Sequence, residues 1–249
     1  MFVLLLVAAV VWKQGGEIVT AAEVSDQQQT DENEEDGLDY EKRANSWRYR
    51  DGHLIREESP ALFSMRAAVF EPWTKNEEGQ FINSDGVVIE GAVRKGIDVS
   101  EHNGLIDWAK VKADGIDFAI IRCGYGDDLS NQDDKQWLNN IKGCEENGIP
   151  YGIYIYSYAE TDDQAVSEAQ HVLRLIEEAG ASPEYPVYYD LEDVTVERGG
   201  KESIIRKTHI FCNVIRDAGY KAGIYANLYW WNTYLTDDTL NVYERWVAQ

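Results

Sequence analysis

Cysteine and positive charge are both scarce in this chain. Its 249 residues hold three cysteines, Cys123, Cys144 and Cys212. That is too few, and too scattered, for a disulfide framework or a zinc site. Each falls in a stretch that reads as strand or helix interior, so all three are expected as buried small hydrophobic residues. Lys and Arg number 23 against 45 Asp and Glu, a formal charge of −22. A chain this acidic repels nucleic acid and anionic lipid, which excludes a polyanion-binding role. The charge is otherwise read as a solubility effect. No apolar run reaches the roughly 20 residues that a bilayer-spanning helix requires. What is present is 44% hydrophobic residues, close to the roughly 45–50% of globular chains, so a sizeable core is expected. The length suits one or two domains, and a single (β/α) barrel takes roughly 250 residues.

Residues 2–12, FVLLLVAAVVW, are an unbroken apolar run of signal-core length. Residues 1–16 are therefore read as a signal peptide or a membrane anchor, with membrane attachment through residues 2–12 in the second case. Val19-Thr20-Ala21 serves as a small-residue cleavage site in the first. Either reading places the protein outside the cell or at its surface. From Glu17 to Glu41 there are ten acids and no Lys or Arg. Such a segment buries too little apolar surface to offset its ordering entropy, so residues 17–59 are expected to be an acidic, mostly disordered spacer. In residues 60–94, the stretch from Gly79 to Ile89 reads as two short strands around Asn83-Ser84-Asp85-Gly86, a small hairpin leading into the main domain.

From Lys95 onward short apolar strands alternate with amphipathic helices. The strands are expected at 96–99, 117–122, 152–158, 186–190, 222–226 and 245–249. A T-x-x-Q capping box at Thr161 and Gln164 opens one helix, with Val166, Ala169, Val172, Leu173 and Ile176 along its apolar stripe and Gly180 as its stop. A second helix carries Ile204, Ile205, Thr208, Phe211, Cys212 and Ile215 and stops at Gly219. This alternation predicts an α/β fold with a parallel sheet and right-handed crossovers. Six strands are visible where a closed barrel needs eight, so residues 95–249 are expected to form a TIM-like barrel incomplete at its C-terminal side.

In such barrels the working residues sit at the C-terminal ends of strands. Asp98 lies at the end of the first strand. The fourth runs into Tyr188-Tyr189-Asp190-Leu191-Glu192-Asp193. Asp190 and Glu192 are two apart, so on an extended chain they point to one side with Cα atoms about 6.6 Å apart. Two adjacent carboxyls cannot both ionise easily, and a protonated acid beside an ionised one suits glycosidic bond cleavage. Taken alone, Asp98 and Asp190 also fit helix-capping roles. Tyr154, Tyr156 and Tyr158 alternate on strand three, and Tyr188, Tyr225 and Trp246 sit on other strands. Such rings can stack on sugar faces, although any one of them also fits barrel packing. Gly124-Tyr125-Gly126 follows a strand but has Leu129 where a dinucleotide fingerprint needs Gly. Asp127, Asp128, Asp133 and Asp134 lack calcium-loop spacing and read as a solvated loop. The four histidines show no metal-ligand spacing, and His171 and His209 are expected at helix surfaces or boundaries.

The segments KGIDVSEHNGLIDW (Lys95 to Trp108), DFAIIRCGYG (Asp117 to Gly126), GIYIYSYA (Gly152 to Ala159), YPVYYDLED (Tyr185 to Asp193), AGIYAN (Ala222 to Asn227) and RWVAQ (Arg245 to Gln249) together resemble glycoside hydrolase family 25, the N-acetylmuramidase lysozymes. The resemblance covers 95–249. It implies a modified (β/α) barrel with a groove at the strand ends, and cleavage of the β-1,4 bond between N-acetylmuramic acid and N-acetylglucosamine in peptidoglycan. It further implies that Glu192 is the proton donor, that Asp190 stabilises developing positive charge or orients the acetamido group, and that Asp98 positions substrate. Tyr125, Tyr154, Tyr156, Tyr188, Tyr225, Asn227 and Trp246 are then substrate-binding candidates. No metal or organic cofactor is implied. The family pattern also has a late Asp after a W-Q-Y segment, which this sequence does not reach. A non-catalytic wall-binding module is the competing reading.

Overall fold

The computed structural model describes residues 74–83 and 86–248, together with the backbone of three two-residue strands at 20–21, 49–50 and 53–54. The expected signal or anchor at 1–16, and all but those strands of the acidic spacer at 17–59, lie outside the described residues. Among the described residues no helix is long and apolar enough to cross a membrane.

Six parallel strands carry the fold: β1 (Gly96–Val99), β2 (Phe118–Tyr125), β3 (Tyr151–Tyr156), β4 (Val187–Asp190), β5 (Ala222–Asn227) and β6 (Glu244–Ala248). They lie side by side in chain order and form a curled half-barrel. Outside β6 the strand Thr20–Ala21 pairs in parallel, Thr20 opposite Val247 and Ala21 opposite Ala248. That pair falls within the stretch expected to be spacer. Helices return the chain between strands: α1 (Trp108–Ala113), α2 (Trp137–Glu146), α3 (Asp162–Ala179), α4 (Val194–Glu197), α5 (Gly200–Asp217) and α6 (Leu228–Thr233). Ahead of the barrel, Thr74–Lys75 pairs antiparallel with Phe81–Ile82, and Ile82 bridges to Val88.

The period of two along each strand sorts side chains onto two faces. Ile97, Val99, Ile121, Ile153, Ile155, Val187, Ile224 and Val247 pack with helix residues such as Val172, Ile176, Phe211 and Ile215 on the convex face. Phe118, Ile120, Tyr188, Tyr225 and Trp246 pack with one another, and with Tyr154, on the concave face. Gly223 makes room there, because a Cβ at 223 would stand 2.5 Å from the Tyr188 ring.

α3 begins where the sequence indicated: the Thr161 hydroxyl accepts from the Gln164 N–H, the Gln164 side chain answers to the Thr161 backbone, and Gly180 closes the helix in the left-handed conformation. Its buried face is turned from the expected one. Glu168, His171 and Leu175 are buried with Ala169, Val172 and Ile176, while Val166 and Leu173 are only partly buried. In α5, Lys207 is buried with Ile204, Phe211, Cys212 and Ile215, and Ile205 is partly covered. Periodicity cannot find buried polar residues, because their cost is offset by partners distant in sequence. All three cysteines are buried and free.

Candidate active site

The C-terminal ends of the strands converge on the concave face. One row of register partners crosses five strands, from Tyr125 on β2 to Tyr156, Asp190, Tyr225 and Trp246. The row beneath it runs Arg122, Tyr154, Tyr188 and Gly223. Asp98 on β1 pairs with Ile120. Glu192 follows two residues beyond Asp190 and is partly buried, whereas Asp190 is 3% exposed. Asn227 ends β5 and caps α6, its side chain accepting from the Trp230 N–H.

Tyr125 reaches this face through a bulge. The β2–β3 register shifts between Arg122 and Gly124, so Cys123 is an extra residue and turns into the convex core. Without that insertion the alternation would send Tyr125 outward; with it, Tyr125 stands opposite Tyr156.

Electrostatics tie the three acids to two tyrosines. Burial pushes the Tyr154 phenol well above its ordinary range; Arg122 opposes this, and the charges of Asp98 and Asp190 add to it. Tyr154 therefore senses Asp98 and Asp190 together. Tyr156 is raised by burial and then by Glu192 and Asp193. Its hydroxyl donates to Asp193 Oδ2 at 3.2 Å. Asp193 is fully buried and accepts from the Thr195 N–H and hydroxyl, both at 2.9 Å. Burial pushes its carboxyl up to about 6 against those hydrogen bonds. The Trp246 indole N–H is buried with no hydrogen-bond partner among the described residues.

Several buried or paired polar residues are not legible in the sequence. Arg122 is 8% exposed. It donates through Nε to Asp134 at 2.8 Å and through a terminal nitrogen to Glu101 at 3.0 Å, and its guanidinium lies 5.9 Å from the Tyr125 ring centroid. Burial works against its charge, while Asp134 and Glu101 hold it protonated. A lone Arg in the otherwise apolar DFAIIR was the available signal, since a buried charge demands a partner. The acids read as a solvated loop are only partly so: Asp127, Asp128 and Asp133 are half-buried. Asp134 is 3% exposed, and Asp133 and Asp128 each bind Arg174 at 2.6 Å. His171 is fully buried rather than at a surface, set between Gly126 O at 3.1 Å and Asp133 Oδ1 at 2.8 Å. His209, partly buried, contacts the Tyr243 and Thr239 hydroxyls. Among the described residues no group of three or more His, Cys, Asp or Glu is arranged to hold a metal ion.

A family model described as glycosyl hydrolases family 25 matches residues 97–249. Among solved structures, the chain is similar to the modular autolysin LytC from Streptococcus pneumoniae, with 29% identity and a TM-score of 0.61 over 71% of this chain and 43% of that one. The same autolysin in complex with a synthetic peptidoglycan ligand matches with 27% identity and a TM-score of 0.57, over 73% of this chain and 42% of that one. A family 25 glycosyl hydrolase from Bacillus anthracis shares the fold at 20% identity and a TM-score of 0.51, over 64% of this chain and 71% of that one. The chain thus spans less than half the length of the autolysin. No curated protein matches it.

Proposed function

The chain belongs to family 25 of the glycosyl hydrolases, and from that premise we propose that it is a peptidoglycan hydrolase acting outside the cell. It cleaves the β-1,4 bond between N-acetylmuramic acid and N-acetylglucosamine by carboxyl catalysis. Glu192 donates a proton to the leaving glycosidic oxygen. Asp190 stabilises the positive charge that develops on the sugar, or orients its acetamido group. Asp98 positions the substrate from the neighbouring end of the sheet. The observation that carries this reading is the strand-end row of the concave face, in which Asp190 stands in register between Tyr156 and Tyr225, with Glu192 two residues beyond it and Asp98 on the neighbouring part of the sheet in β1. A protonated acid and an ionised carboxylate on one cleft are what glycosidic cleavage requires.

Tyr125, Tyr154, Tyr156, Tyr188, Tyr225, Asn227 and Trp246 form the substrate-binding surface in this reading. Tyr125 and Tyr154 are partly exposed and offer ring faces for sugar stacking, while Tyr188, Tyr225 and Trp246 are buried against one another and support that surface from beneath. The similar autolysin's complex with a peptidoglycan ligand supports a glycan strand as the partner.

Digestion of purified peptidoglycan by the full chain, followed by mass spectrometry, tests the bond. Muropeptides with a reducing N-acetylmuramic acid end are expected. Reducing N-acetylglucosamine ends would reassign the bond. Retention on peptidoglycan without any new reducing ends would favour a wall-binding module instead.

A further inference from the structure

We propose that Glu168 is a positioning residue for the cleft: from the convex side of the sheet it fixes the turn leaving β3 and so holds the Tyr158 ring as a wall of the glycan site. This rests on the glycan reading above. Glu168 lies on α3 and is 1% exposed. Its Oε1 accepts from the Tyr158 N–H at 2.7 Å, and its Oε2 accepts from the Ser157 hydroxyl at 2.8 Å and the Tyr189 hydroxyl at 2.5 Å. Tyr189 immediately precedes Asp190 and stacks on Phe211 at 4.0 Å. One carboxyl group therefore grips the ends of β3 and β4 together. Lys207, fully buried on α5, donates to Ala159 O at 2.6 Å, so side chains from two helices hold residues 157–159.

The product of this grip appears on the other face. Tyr158 is partly buried, with its ring centroid 5.1 Å from that of Tyr156 and 6.2 Å, edge-on, from that of Tyr125. Both of those rings belong to the concave row beside Asp190. Helix packing alone does not call for a carboxyl at 168. Its neighbours on the buried face, Ala165, Ala169 and Val172, are apolar, and the polar one, His171, is bound to Gly126 and Asp133 rather than to Glu168; burying an acid costs desolvation unless every lone pair is matched. Here the matching donors are those that define the turn.

The test uses the full chain and a soluble tetrasaccharide of alternating N-acetylglucosamine and N-acetylmuramic acid. Four variants are compared: Glu168→Gln, Glu168→Leu, Tyr158→Ala and the double variant Glu168→Leu/Tyr158→Ala. KM, kcat and hydrogen exchange at the Tyr158 amide are measured for each. Glu168→Leu and Tyr158→Ala should each raise KM about tenfold while leaving kcat within about threefold, and the double variant should be no worse than Tyr158→Ala alone. Glu168→Gln should stay close to wild type, because its amide oxygen can still accept from Tyr158. Tyr158 amide exchange should accelerate in Glu168→Leu and not in Glu168→Gln. Where Glu168→Leu does not fold, Glu168→Ala carries the same readouts. Additive losses in the double variant, or an unchanged Tyr158 amide in Glu168→Leu, would overturn the proposal. A wild-type chain that neither cleaves nor binds the tetrasaccharide would remove the glycan reading, and the exchange result would then decide separately whether Glu168 fixes the turn.

Discussion

The two faces of the sheet are built from the same six strands and differ in almost every respect. On the convex face, Ile97, Val99, Ile121, Ile153, Ile155, Val187, Ile224 and Val247 interlock with the helices. On the concave face, the same strands present Asp98, Arg122, Tyr154, Tyr156, Tyr188, Asp190, Tyr225 and Trp246. The convex face gains stability by close packing of aliphatic groups. The concave face gives up aliphatic burial for rings and acids whose charges perturb one another. Polar groups do occur on the convex side, but Glu168, His171 and Lys207 are each bound to partners within the fold. One face is organised for packing, and the other carries the acids and rings that the proposed function assigns to the glycan.

Substitutions on each face should break different properties. The largest effect is expected from Glu192→Gln, which removes the proposed acid at almost unchanged volume. Turnover of peptidoglycan should fall by about 10²–10⁴-fold, while the circular dichroism spectrum and melting temperature stay as in wild type. Normal turnover would exclude Glu192 as the donor. Phe211→Ala does the reverse. It removes a fully buried ring stacked on Tyr189 and should cost about 3–5 kcal/mol in urea unfolding, with turnover per folded molecule reduced far less than by Glu192→Gln.

A smaller effect comes from the buried carboxyls of Glu168 and Asp193. Burial raises Glu168 from 4.5 to about 7 and Asp193 from 3.8 to about 6, each against its own hydrogen bonds. The folded protein therefore holds these protons more tightly than the unfolded chain. The stabilisation is complete below about pH 4 and is lost as pH rises through about 6 for Asp193 and about 7 for Glu168. For Glu168 alone the difference is of order 3 kcal/mol. The urea midpoint should fall between about pH 4 and 7 in the wild type and level off above that, and Glu168→Gln should flatten the decline. An equally steep decline in the variant would place the titration elsewhere.

Much of this architecture was legible beforehand. The expected strands at 96–99, 186–190 and 222–226 fall within about a residue of β1, β4 and β5, because runs buried on both faces stand out against their polar connections. The candidate ligand-facing residues Tyr154, Tyr156, Tyr188, Asp190, Tyr225 and Trp246 lie on one face because alternation is a local property of the chain. β2 runs three residues past the expected end at 122, through a bulge that has no local signal. Nothing local marks Cys123 as the extra residue, since the shift exists only relative to β3. The Arg122 ion pairs with Asp134 and Glu101 were missed for the same kind of reason: their partners come from the loops after β1 and β2.

What the order of residues determined alone was the alternation of strand and helix, the phase of each strand and the types of side chain that each phase would present. These follow from backbone geometry and short-range sterics, which act within a few residues. Tertiary structure alone decided which charges would be buried, which tyrosine a bulge would re-aim and which helix would brace the turn at Ser157–Ala159. Those outcomes depend on desolvation being offset by partners such as Glu168 and Lys207, and such partners meet only after the sheet has brought distant segments together.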